Sequence, residues 1–324
     1  MADSVLATYF HRKQQGMPPG YHLTPTPIPI AYETHGAGEE LRPCGRSFSA
    51  TIRGSLRLRG TTASLDPALK DGACAWARGQ PLVFIHGVGG NRRNWDDQLD
   101  HFAPAHQVVT LDLRGYGDSG PITGDLRFEH FAEDVLAVMD HLGAERAHLA
   151  GLSMGGLVAQ AVYAHAPHRI ASLTLAACRP ADAPVAAGEQ FARDRLEPLR
   201  AAQPLQALAD SLLPALHGPS ASPELIGRLR DSLLRLRIDD YRRIVTVRTQ
   251  LQPFLDLSSI TVPALVLGGR DDRLAPPAQM TALAAAIPHS RLEIFEDCGH
   301  FLNIEQAASF NSTLASFLAT HATA

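Results

Sequence analysis

From residue 81 onward the chain alternates short, β-rich apolar runs with longer stretches of helical period, and that alternation leaves few folds open. Repeated strand–helix–strand units build a mostly parallel sheet with helices on its faces. The strand candidates are Pro81 to His86, Gln107 to Leu113, Ala147 to Leu152, Ile170 to Cys178, Pro263 to Leu267 and Arg291 to Phe295. Several are nearly continuous in apolar residues instead of alternating, so both faces of the sheet must be covered. Helical candidates lie at about 93–103, 127–143, 155–166 and 302–319.

The rhythm breaks between Arg179 and Ser259, where no strand pattern occurs and helix-like pieces are punctuated by Pro184, Pro198, Pro204, Pro214 and Pro223. The expectation is an α/β core over residues 1–180 and 259–324, with 181–258 inserted as a helical lid over one edge of the sheet. Near the front, 28–35 reads as a strand, whereas 37–79 is rich in Gly, Arg, Ser and Thr. Within it Phe48, Ala50, Ile52, Leu56 and Leu58 recur with period two opposite Arg53, Arg57 and Arg59, a half-buried strand pattern. An extra hairpin, a dimer arm and a mobile loop all fit this insertion, so a homodimer is one open possibility for the oligomeric state.

Composition removes whole classes of function. The 324 residues carry 33 acidic and 29 basic side chains, which supplies no general basic surface for a nucleic-acid backbone. A hydrophobic content of 45% is too high for a disordered chain. No apolar run approaches the roughly 18 to 20 residues that cross a bilayer, and the N-terminus lacks a basic start followed by an apolar stretch. A soluble, cytoplasmic protein acting on a small-molecule substrate, with no nucleic-acid or membrane partner, is expected. Cys44, Cys74, Cys178 and Cys298 show no metal-site spacing and read as free thiols, a Cys44–Cys74 disulfide being the alternative.

The strongest local signal is Gly151-Leu152-Ser153-Met154-Gly155, between a strand and a helix. A serine on such a sharp turn exposes its hydroxyl at the sheet end, and the glycines let helix and strand approach. The following helix aims its N-terminal N–H groups at any oxyanion formed there. A serine hydroxyl needs a base, and the base an orienting acid. His300, directly after a late strand and beside Gly299, is the candidate base, and Asp271 and Asp272, in the loop after the preceding strand, are the candidate acids. Trp95 and Arg92 are carried as candidate substrate contacts, against the plainer readings of a packing residue and a solvated arginine. Asp112 and Arg114 read as a structural ion pair, and His86 as a support for its own loop.

With His86-Gly87-Val88-Gly89-Gly90, Asp112-Leu113-Arg114-Gly115-Tyr116-Gly117-Asp118-Ser119, the Ser153 turn, Gly269 to Pro276 and Gly299-His300 in order, the chain resembles the lid-bearing group of α/β-hydrolase-fold proteins. That group includes 3-oxoadipate enol-lactonases, cofactor-free haloperoxidases or perhydrolases and small-molecule esterases. The resemblance implies a Ser153–Asp272–His300 triad, with Asp272 selected over Asp271 by its place in the G-x-x-D pattern. It also implies an oxyanion hole from the backbone N–H groups of Val88 and Met154, with no metal and no cofactor. Family members that form an ester on a carboxylate carry aspartate at the turn, where this chain has Ser153.

The expected activity is therefore hydrolysis of an ester, lactone or related carbonyl bond through an acyl-enzyme. The same triad also serves C–C bond hydrolysis, perhydrolysis, acyl transfer and cofactor-free lyase chemistry, because fold and triad do not fix the substrate. A ligand receptor built on the hydrolase fold is the expectation from outside enzymology.

Overall fold

A computed structural model describes residues 30–35, 80–183, 192–193, 195–197 and 205–321 of the chain. The insertion at 37–79, with Cys44 and Cys74, lies outside the described residues, as does most of the first helical piece after Arg179.

Seven strands form one sheet: β1 (Tyr32–His35), β2 (Leu82–Ile85), β3 (Val108–Leu111), β4 (Ala147–Leu152), β5 (Ile170–Ala176), β6 (Ala264–Gly269) and β7 (Ser290–Phe295). Their spatial order is β1-β3-β2-β4-β5-β6-β7, with β1 antiparallel to β3 and every other pair parallel. Every residue of β2, β3, β4 and β6 is buried, as continuous apolar runs require of strands covered on both faces.

The helices of the core are α1 (Asp96–Phe102), α2 (Glu129–His141) and α3 (Met154–His165) in the first half. Between β5 and β6 come α4 (Leu205–Leu216), α5 (Pro223–Leu234) and α6 (Ile238–Thr249); α7 (Pro277–Ala286), α8 (Leu302–Glu305) and α9 (Ala307–His321) complete the chain. α2 packs on α3, α1 on α9, and α7 on β6 and β7. No described helix is long and apolar enough to cross a membrane.

Register fixes where chemistry can gather. Ile85 of β2 lies beside Gly151 of β4 and Leu111 of β3, so these strands end at one level. Strand order reverses at β2, which pairs with both β3 and β4, and loops leaving a parallel sheet at such a switch point diverge to open a crevice. The loops after β2 and β4 carry Val88 and Ser153.

The helical segment between β5 and β6 contacts the loops after β2 and β3. Ser222 caps α5 by accepting from the Leu225 N–H (3.2 Å), with Pro223 in the first turn. At the other end of α5, Ser232 Oγ accepts from Asn91 Nδ2 (3.1 Å) and Asn94 Nδ2 (3.0 Å), just past the loop after β2. Arg237 donates to the carbonyls of Gly117 and Ser119, and Asp240 accepts the Ile122 N–H (3.0 Å).

Candidate active site

Ser153 occupies the turn between β4 and α3 with φ 56° and ψ −117°, a backbone conformation that costs a non-glycine residue of order 1–3 kcal/mol. The surroundings over-determine it. The Ser153 N–H donates to Ala176 O of β5 (2.8 Å), while its carbonyl accepts from Gly156 and Leu157 in α3. A Cβ on Gly155 would lie 2.0 Å from Ile85 O, and one on Gly151 would lie 2.2 Å from Gly155 O. Both contacts are with backbone, which has no rotamer to give way, so only glycine lets α3 start this close to β2 and β4. As the first residue of α3, Met154 offers a backbone N–H with no acceptor inside its own helix.

The loop after β2 lies against this turn. A Cβ on Gly87 would stand 3.0 Å from Ser153 Cβ and 3.6 Å from its Oγ, so the Gly87-Val88 backbone runs beside the hydroxyl. His86 holds that loop from within. The Leu113 N–H donates to His86 Nε2 (3.0 Å), which assigns the ring proton to Nδ1, donating to Gly87 O (2.8 Å). Burial lowers the His86 pKa against the pull of Asp112, keeping the ring neutral in this bridging role.

On the loops after β6 and β7, His300 Nδ1 and Asp272 Oδ2 are 2.8 Å apart, and both residues are buried. Asp272 is held in turn by the N–H groups of Leu274 (2.8 Å) and Ala275 (2.9 Å), both on Oδ1. Asp271 is exposed, and its N–H donates to Cys298 O (2.8 Å), stitching the loop after β6 to the loop after β7. A Cβ on Gly269 would lie 2.2 Å from Gly299 O, which is why the two loops can touch. The structure thus brings together His300 and Asp272, and separately the Val88 loop and Ser153.

Trp95 sits as the plainer reading of a packing residue has it, whereas Arg92 is not the solvated arginine of its plainer reading: its side chain is 12% exposed and ion-paired. Trp95 is fully buried against Phe84 (4.8 Å between ring centroids) and Phe310 (6.0 Å), inside the core. Arg92 is committed to Asp112, Asp118 and Glu33, with its own N–H on Asp112 Oδ1 (2.7 Å). The expected Asp112–Arg114 pair is therefore corrected: Asp112 binds Arg92, and Arg114 makes a bidentate bridge to Asp134 (2.7 and 2.6 Å).

Three features were not read from the sequence. Ser232 joins the helical segment to Asn91 and Asn94, and a buried chain of amides continues from Asn94 through Asn303 and Gln98 to Asn311. Glu305 binds three backbone N–H groups around His300. Arg248 is buried beside Tyr116 and Tyr241, and burial together with Arg195 and Arg179 lowers its pKa to about 9. The Tyr116 ring stands nearly perpendicular to that of His86 with centroids 4.9 Å apart, so this basic and aromatic group adjoins the loop beside Ser153. Among the described residues no cluster of His, Cys, Asp or Glu has the makings of a metal site.

Comparison with known proteins agrees with this architecture. The alpha/beta hydrolase fold family profile matches residues 80–307. A 3-oxoadipate enol-lactonase 2 of Acinetobacter baylyi is 28% identical over 259 residues, covering 79% of this chain and 95% of its own. A 2-hydroxy-6-oxononadienedioate/2-hydroxy-6-oxononatrienedioate hydrolase of Paraburkholderia phymatum is 31% identical over 256 residues, 74% of this chain and 87% of its own. Among solved structures, a thermophilic esterase from Thermogutta terrifontis superposes with a TM-score of 0.73 at 27% identity, covering 93% of this chain and 97% of the esterase. With its sheet order, its strained serine turn and that family match over most of its length, the chain belongs to the alpha/beta hydrolase fold family of enzymes and is a hydrolase.

Proposed function

We propose that this hydrolase cleaves an ester, lactone or related carbonyl bond of a small molecule through a seryl acyl-enzyme. The observation that carries the reading is the buried 2.8 Å contact between His300 and Asp272 on the loops after β7 and β6, at the same end of the parallel sheet as the Ser153 turn. With the Nδ1 proton held by Asp272, His300 Nε2 is left as the base. It takes the Ser153 proton as Oγ attacks the carbonyl carbon, then returns it to the leaving group, and repeats the cycle with water to release the acid. Positioned proton transfer of this kind contributes roughly 10²- to 10⁴-fold.

The developing oxyanion is met by the backbone N–H groups of Val88 and Met154, each donor of this kind being worth roughly 2.7–4 kcal/mol in the transition state. The Gly87 contact with Ser153 and the place of Met154 at the start of α3 support that assignment. Nucleophile, base and anion donors all come from the chain, so the proposed reaction draws on no cofactor. The helical segment between β5 and β6 serves as the lid over the site, and its contacts with the loops after β2 and β3 support this role.

A panel of acyl esters and lactones of graded size, screened with wild type and Ser153→Ala, tests the reading. Turnover of at least one class that vanishes in the variant is the expected result; equal turnover in the two proteins contradicts it. The 31% identical dienedioate hydrolase favours C–C bond hydrolysis as the second reading, and product analysis on a vinylogous 1,5-diketone separates the two.

A further inference from the structure

His300 is held on both flanks by one carboxylate that the proposed mechanism does not use. Glu305 Oε2 accepts the Gly299 N–H (2.9 Å), and Oε1 accepts the Phe301 N–H (3.2 Å). Oε2 also accepts the N–H of Gly218 (2.8 Å), 87 residues away in sequence and just beyond α4 in the helical segment. One side chain therefore binds the residue before His300, the residue after it, and the segment lying over the site.

The contact is backbone against backbone. A Cβ on Gly299 would lie 2.3 Å from Gly218 N, and one on Gly218 would lie 2.8 Å from Gly299 N. Glycine at both positions lets the two backbone segments approach closely enough for a single oxygen to accept from both. A carboxylate suits the task because it offers two acceptor oxygens and no donor, and hydrogen bonds to a charged acceptor are roughly twice as strong as neutral ones. Glu305 also closes the four-residue helix α8, so a purely structural capping role is the alternative explanation.

We propose that Glu305 is a positioning residue: it fixes the backbone that carries His300 and couples that placement to the seating of the helical segment through Gly218. The proposal rests on the reading of His300 as the base. A segment displaced from Gly299 removes one of the two strong contacts on Oε2 and frees the histidine loop to shift. Seating of the segment and assembly of the base are then one event, which ties activity to a closed site.

The test compares wild type, Glu305→Ala, Glu305→Gln and Gly218→Ala on a soluble ester. Far-UV circular dichroism checks the fold, and titration with a fluorophosphonate counts active molecules. Misplacement of about 1 Å costs roughly 10²-fold, so Glu305→Ala is expected to lose about that factor in kcat per active site with little change in KM. Glu305→Gln retains one acceptor oxygen and recovers part of the loss. Gly218→Ala leaves the Phe301 contact in place and still lowers kcat, because it lifts the segment from Gly299.

A folded Glu305→Ala or Glu305→Gln protein with wild-type kcat overturns the proposal, as does a loss that appears wholly in KM or in the count of active sites. Gly218→Ala with wild-type kcat overturns the coupling. If wild type turns over the ester while the fluorophosphonate fails to label Ser153, the underlying serine-hydrolase reading has failed, and that outcome is distinct from failure of the Glu305 assignment.

Discussion

Replacing Asp272 by asparagine changes one atom and has a consequence set by the two backbone donors around it. Oδ1 of Asp272 accepts from the Leu274 and Ala275 N–H groups, and Oδ2 faces His300 Nδ1. The asparagine can keep its amide oxygen in the Oδ1 position, or it can turn over and point its NH₂ at two N–H donors. Turning over strands buried donors against donors at roughly 1–3 kcal/mol each, so the first arrangement wins. The NH₂ then faces His300 Nδ1 and demands an acceptor there. The ring answers by moving its proton to Nε2, the atom that must accept from Ser153, and the base is lost without any change of shape. Where an aspartate-to-asparagine change imposes the wrong tautomer, the loss is about 10⁴ in kcat, or about 5.4 kcal/mol at 1.36 kcal/mol per tenfold. The assay is steady-state ester hydrolysis, normalised to folded protein and run beside Asp271→Asn, whose exposed side chain predicts wild-type kcat. An Asp272→Asn enzyme within about tenfold of wild type, or a large loss in Asp271→Asn, refutes the argument.

Gly155→Ala sets a Cβ 2.0 Å from Ile85 O and is expected to destabilise by about 3 kcal/mol or more, whereas Gly227→Ala in α5 meets nothing within 4 Å and gains up to about 1 kcal/mol; urea unfolding measures both. Trp95→Ala empties a fully buried site and costs roughly 3–5 kcal/mol while leaving KM unchanged in the folded fraction, since Trp95 packs the core. Burial lowers the His148 pKa from 6.5 to about 4, so the fold prefers the neutral ring; stability is complete above pH 6.5 and declines toward pH 4, and His148→Gln flattens that decline in a plot of Tm against pH. Glu133 has the opposite sign: burial raises its pKa from 4.5 to about 7, stability falls as pH rises through that window, and Glu133→Gln raises Tm at pH 8.

The strands were legible because a sheet covered on both faces writes itself as uninterrupted apolar runs. β4 and β5 begin where the sequence places them, and β6 runs two residues beyond its expected end, through Gly268 and Gly269. Ser153 and His300 stood out as candidates because a tight strand-end turn needs glycine beside it, and Gly151, Gly155 and Gly299 each face backbone at 2.2, 2.0 and 2.3 Å, whereas Asp272 was chosen over Asp271 by the family resemblance alone. Helix α7, PAQMTALAAA, was missed because its small residues mark no apolar stripe.

Ion pairing was not legible. Asp112 and Arg114 are sequence neighbours, yet their partners Arg92 and Asp134 each lie 20 residues away and arrive only through the packing of separate elements. Glu305 is the same case in sharper form. Its three donors come from 218, 299 and 301, and no spacing rule announces a carboxylate that binds backbone across a fold.

The central claim is that Ser153 carries the acyl group. Incubation with a fluorophosphonate, followed by intact mass and peptide mapping, tests it most directly. The account predicts one adduct per chain, located on Ser153, absent from Ser153→Ala and strongly slowed in His300→Ala. A protein that hydrolyses its ester while Ser153 stays unlabelled, or that carries the adduct on another residue, contradicts it.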